Sequence, residues 1–230
     1  VTPISITQSE VDFFRKFIKK GDFVIDIGAN IGDTTVPMAI AAGKEGATLG
    51  FDPNPFVYKI LEANAALNPE KTNIIPVCSA ISTEEEEFYF ISSEASFANG
   101  GISPTRESIH GKFICPNKVK GVNLLDFLKK NHNDQIEKLS FIKIDTEGYD
   151  KEILKSISDL IAELKPVIVA ESFGKSSDEA KMELFESISV HGYQLFYFED
   201  FKHNTATREI KSAEEMCAWK KTINIYAIPK

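Results

Sequence analysis

Asp26, Asp52, Asp145 and Glu171 each stand at the carboxyl end of a short apolar run, and Ser79 closes another. Packing around a strand end strips water from a carboxylate, so an acidic side chain there is held by hydrogen-bond donors or by a ligand. One such residue reads as a helix N-cap. Several at equivalent positions read as a row of acceptors along the edge where open α/β sheets bind ligands. Such a row can accept ribose hydroxyls, hold an ammonium group or take a proton.

Between Asp26 and Asp52 lies Gly28-Ala29-Asn30-Ile31-Gly32. The glycines let the backbone bend sharply and let a ligand reach the main chain, and the helix start beyond them offers unpaired N–H groups. The spacing is GxNxG, whereas a dinucleotide pyrophosphate takes its second glycine at the position of Asn30. A nucleoside bearing an amino acid fits this turn better. Asp26 would hold its ammonium, the turn its carboxylate, and Asp52, 26 residues after Asp26, its ribose hydroxyls. A ribose acceptor alone does not separate S-adenosylmethionine from NAD. A nicotinamide oxidoreductase and a non-catalytic cofactor-binding module therefore stand beside a transferase at this point.

The elements that must position these residues alternate. Residues 9–20 place Val11, Phe14, Phe17 and Ile18 at helical spacing, with Ser9 as N-cap and Gly21 past the end, which predicts an N-terminal helix within 1–21. Strands follow at 23–27, 47–51 and 73–77, with helices at 34–42 and from Asn54-Pro55 to about residue 68. Glu84 to Glu87 reads as a solvated acidic turn before an apolar run at 88–91. Residues 92–116, rich in Gly, Ser, Pro and Asn and without a period, read as a substrate lid carrying His110. Beyond it come a helix at 124–130, a strand at 139–144, a helix at 149–161 and a strand at 166–170. A helix at 177–191 and two strands at 194–198 and 222–228, read as an antiparallel hairpin, complete the chain. Five βα repeats and a terminal hairpin predict one domain over 1–230, a mostly parallel sheet with helices on both faces. Lys143, inside an apolar strand, calls for a carboxylate partner.

Composition narrows the function classes. With 43% hydrophobic and 26% charged residues the chain has the make-up of a globular protein. The net charge of −8 argues against a nucleic-acid partner. Cys78, Cys115 and Cys217 show neither disulfide-framework nor zinc spacing. No apolar run approaches the roughly 20 residues of a membrane helix, so the expectation is a soluble, cytoplasmic protein without a membrane partner. A homodimer is a mild expectation from the apolar N-terminal helix.

The blocks Asp26-Ile27-Gly28-Ala29-Asn30-Ile31-Gly32, Phe51-Asp52-Pro53-Asn54-Pro55, Ile142-Lys143-Ile144-Asp145-Thr146-Glu147-Gly148 and Leu154-Lys155 resemble the FkbM family of S-adenosylmethionine-dependent methyltransferases. The resemblance implies a Rossmann-like class I methyltransferase fold with seven strands, and O-methylation of a small-molecule, sugar, glycan or polyketide-type acceptor. Two positions depart from the family pattern, which has glutamate where this chain has Asp52 and Asp150. Carried over, the pattern puts Asp26, Gly28, Asn30 and Gly32 around the methionine part, Asp52 on the ribose, and Ser79 and Ala80 at the adenine. Asp145, at the cofactor's edge, and Glu147 are then the candidate bases for deprotonating the acceptor hydroxyl, with Glu171 third and His110 behind the carboxylates. Convergence of two or three of these carboxylates would suit a Mg²⁺ or Ca²⁺ that lowers the alcohol's pKa; no residue is assigned to a metal.

Overall fold

A computed structural model describes residues 5–94, 100–108, 110–146 and 149–230. The chain opens with α1 (Gln8–Phe14), β1 (Phe23–Ile27), α2 (Thr35–Ala42), β2 (Ala47–Phe51), α3 (Pro55–Ala65) and β3 (Ile74–Val77). A run of short strands follows: β4 (Ala80–Ile81), β5 (Glu86–Ser92), β6 (Gly101–Ser103), β7 (Phe113–Ile114) and β8 (Val119–Val122). Next are α4 (Leu124–Asn131), β9 (Leu139–Ile144), α5 (Asp150–Ser156), α6 (Ser158–Leu164), β10 (Val167–Ser172) and α7 (Asp178–Ser189). The last elements are β11 (Tyr193–Phe198), β12 (Thr207–Ile210), α8 (Ala213–Cys217) and β13 (Ile223–Pro229).

Eight strands form the main sheet in the order β12-β11-β13-β10-β9-β1-β2-β3. The strands from β10 to β3 are parallel, and β13, β11 and β12 join by antiparallel pairing. The sheet therefore has one strand more than the seven expected. The extra strand is β12, whose exposed Thr207, Arg208 and Glu209 give no apolar alternation to read. In the chain it falls with α8 between β11 and β13, which do pair antiparallel as expected, and in the sheet it forms the edge beside β11.

Both faces of the parallel strands are buried, which is why β1 and β2 are apolar almost throughout. Ile25, Ile27, Leu49, Ile142 and Ile144 face a core shared with α4 to α7. Val24, Phe141 and Val169 face the other way, onto Phe13, Phe14, Met38 and Ala42 of α1 and α2. A register shift beside Phe23 skips Ser140, so Asp26 and Lys143 come to lie side by side on adjacent strands.

Several local expectations are corrected. The first helix starts two residues earlier and ends at Phe14, because Thr7 rather than Ser9 is the N-cap and forms a capping box with Glu10. Glu86 and Glu87 belong to β5 rather than to a turn, held by pairing with β8. The segment 149–161 is two helices, α5 and α6, broken at Ile157, whose φ of −109° is not helical. Glu171 lies inside β10, which pairing with β13 extends to Ser172. The described part of 92–116 is not without regular structure. β6 and β7 both pair with β5 in a small sheet, over a satellite core of Phe88, Phe90, Cys115 and Val119. Among the described residues no helix is long and apolar enough to cross a membrane.

Candidate active site

The carboxyl ends of β1, β2 and β9 form the floor of a cavity of about 280 Å³, and Phe90, Gly100, Gly101 and Ile102 of the small sheet supply part of its wall. The glycine turn is tied to the floor at several points. The N–H groups of Gly28 and Ala29 both donate to the Phe51 carbonyl at 2.9 Å, and the Asp145 N–H donates to the Ile27 carbonyl at 3.0 Å. Gly28 has φ +80°, and a Cβ on it would stand 1.8 Å from the Asp145 carbonyl oxygen. Glycine is required there so that the β9 end can approach, a packing reason rather than a ligand's. Asn30 (φ +46°) and Gly32 (φ +94°) complete the left-handed turn.

Asp52 lies on the cavity wall, with Oδ2 accepting from the Asn30 N–H at 2.8 Å and Oδ1 from the Asn54 N–H at 2.9 Å. One carboxylate thus fastens the turn after β1 to the start of α3. Burial raises its carboxyl to about 6, although the two N–H donors pull the other way. Ser79 and Ala80 line the same cavity, as do Gly28, Asn30 and Asp145.

Asp26 is placed differently. It is 0% exposed and does not line the cavity. Its Oδ2 accepts from the hydroxyls of Thr34 at 2.9 Å and Thr35 at 2.7 Å, and its Oδ1 from Lys143 Nζ at 3.2 Å. The Lys143 ammonium also lies 3.4 Å from Asp145 Oδ2. Burial pulls the Lys143 ammonium down, but Asp26, Asp145 and Asp33 outweigh it and hold it above the ordinary lysine range. Lys143 thus has the carboxylate partner its setting demanded. Asp26 anchors the lysine, and the lysine joins Asp145 at the wall.

The other candidates do not gather there. Glu171 lines a separate shallow cleft with Asp150 and Lys181. The His110 ring packs on Gly101, where a Cβ would fall 2.3 Å from Nε2, and burial lowers its pKa. His110 and Gly32 are not among the cavity-lining residues described. Glu147 lies outside the described residues. Among the described residues no group of three or more His, Cys, Asp or Glu side chains is arranged to hold a metal ion.

Sequence reasoning passed over several wall residues. Asp33 is exposed at the cavity yet desolvated on its inner side, which raises its carboxyl. An acidic residue directly after the glycine turn was the available signal. Tyr149 and Phe201 also line the cavity. Phe201 reaches it because its turn is docked on α1: the His203 N–H donates to Ser9 Oγ at 3.1 Å, Lys16 Nζ donates to the His203 carbonyl, and the Phe201 ring stacks on Phe14.

The family model described as the methyltransferase FkbM domain matches residues 26–203. Methyltransferase sdnD of Sordaria araneosa is 24% identical over 185 residues, 70% of each chain. Hexuronic acid methyltransferase AglP of Haloferax volcanii is 24% identical over 198 residues, 84% of this chain and 76% of its own. The crystal structure of methyltransferase FkbM from Methylobacillus flagellatus superposes with a TM-score of 0.55 at 14% identity, over 92% of this chain. This chain spans 44% of that protein's length.

Proposed function

This chain belongs to the FkbM methyltransferase family, and we propose that it transfers a methyl group from S-adenosylmethionine to a hydroxyl of a small-molecule, sugar, glycan or polyketide-type acceptor. The observation that carries the reading is the juxtaposition, in one cavity, of Asp52 on the left-handed glycine turn and Asp145 beside Lys143. The donor set suits the cofactor. Asp52 offers a ribose acceptor, the apolar Phe51, Val57 and Ile81 offer a surface for a flat base, and the acidic Asp33 and Asp145 suit a ligand of net positive charge.

When bound, S-adenosylmethionine supplies an electrophilic methyl on a sulfonium that leaves as a neutral thioether. The protein's part is alignment and proton removal. Asp145 takes the acceptor's hydroxyl proton, and Lys143, fixed by Asp26, holds that carboxylate in place. Thr146 and Tyr149 bound the space beside it, and the small sheet covers the site and limits water entry.

Calorimetric titration with S-adenosylhomocysteine and separately with NAD tests the reading. Selective binding of S-adenosylhomocysteine, weakened about 10- to 150-fold by Asp52→Ala, is expected, since a hydrogen bond to a charged group contributes roughly 1.5–3 kcal/mol. Binding of NAD instead would replace the methyltransferase reading with an oxidoreductase one.

A further inference from the structure

Resting on the methyl-transfer reading, we propose that the acceptor carries no acidic group: the site takes a hydroxyl on an uncharged ring with an apolar face and rejects uronic or phosphorylated counterparts. The carrying observation is the charge on the cavity wall. Asp33, Asp52 and Asp145 line it, and Lys143 is the single cation among the described lining residues. That ammonium is already shared between Asp26 at 3.2 Å and Asp145 at 3.4 Å. A cofactor of one net positive charge leaves the wall negative, so an acceptor carboxylate would enter against like charge with no free cation to receive it.

The remaining cations of the small sheet are engaged elsewhere. Tyr89 and Phe90 are consecutive in β5 and point to opposite faces, and Phe90 is the one that lines the cavity. On the outer face, Arg106 lies 5.4 Å and Lys118 5.1 Å from the Tyr89 ring centroid. Lys112 lies 5.6 Å from the Phe113 ring. The sequence at 95–99, 109 and 147–148 contains no Lys, Arg or His. What the wall offers an acceptor is Phe90, Ile102, Tyr149 and Phe201, side chains that pack on the C–H face of a sugar or on a flat ring.

The test uses the full chain saturated with S-adenosylhomocysteine and matched ligand pairs that differ only in an acidic group. These are p-nitrophenyl glucoside against p-nitrophenyl glucuronide, and p-nitrophenyl galactoside against p-nitrophenyl galacturonide. Saturation-transfer NMR and calorimetry should show the neutral member of a pair binding at least about tenfold more tightly. Ile102→Arg, which sets a cation on the wall, should narrow or reverse that ratio with S-adenosylhomocysteine affinity retained. Equal or tighter binding of the acidic members by the unsubstituted protein, or failure of every neutral member to bind, overturns the inference. Failure to bind S-adenosylhomocysteine in the first step would instead strike the methyltransferase reading itself.

Discussion

The floor and the roof of the cavity are built by different means. The floor is a parallel ladder whose polar side chains are tied to one another: Asp52 to two backbone N–H groups, Asp26 to two hydroxyls and Lys143, and Lys143 to Asp145. The roof is a set of short strands around a satellite core of four buried residues, and its contribution to the wall is chiefly apolar side chains and glycines. A floor of fixed hydrogen-bonding groups suits a cofactor that does not vary. A roof held by a small core can change its side chains without disturbing that chemistry.

The largest test of the contrast is Lys143→Met. It leaves the Asp26 carboxylate buried without its cation, and breaking a buried pair from one side costs about 3–5 kcal/mol. Chemical denaturation should show a loss of that order, with S-adenosylhomocysteine affinity falling as Asp145 and the floor lose their tie. A loss below about 1 kcal/mol would mean that the floor is no more rigid than the roof.

Matched glycine substitutions then compare the two regions directly. In the floor, a Cβ at Gly28 meets the Asp145 backbone carbonyl at 1.8 Å, at a φ of +80° that side chains rarely adopt. Gly28→Ala should destabilise by about 2–4 kcal/mol, the sum of overpacking and left-handed strain. In the roof, a Cβ at Gly101 meets the far end of the His110 ring at 2.3 Å. A side-chain ring can swing aside where a backbone carbonyl cannot, so Gly101→Ala should cost about 1 kcal/mol or less, with cofactor affinity unchanged. Thermal melts of the two variants, read beside calorimetry, would overturn the distinction if their order were reversed.

The same contrast explains what the sequence revealed. Asp52, Asn54-Pro55 and the glycine turn act within a few residues of themselves, and turn and cap chemistry is written locally. The roof strands are two to seven residues long, most too short to show a period, and Phe90, Ile102 and Phe201 reach one cavity only through tertiary pairing and docking on α1. Glu171 was misplaced for a related reason: pairing of Ser172 with Ile223 in a strand some fifty residues later carries β10 past it. Asp26 stood where an ammonium ligand was expected, but its neighbour across the ladder, Lys143, takes that role.

The smallest effect is a titration. Asp52 has its carboxyl at about 6 in the folded protein against 3.8 ordinarily, because burial outweighs its two N–H donors. Between those values the folded state holds a proton that the unfolded state has released, so the contribution of Asp52 to stability falls as pH rises from about 4 to about 6. Asp150, at about 7 for reasons of burial and then of the Asp145 charge, extends the same trend to about 7. Ribose hydroxyls donate to an ionised carboxylate better than to a protonated one, so cofactor affinity moves the opposite way and rises through about pH 6. Calorimetric titration with S-adenosylhomocysteine from pH 5 to pH 7.5 should show a gain of up to about tenfold, and Asp52→Asn should flatten it. A gain that survived in Asp52→Asn would move the titrating group elsewhere on the floor, to Asp33 beside the glycine turn, whose carboxyl burial also raises.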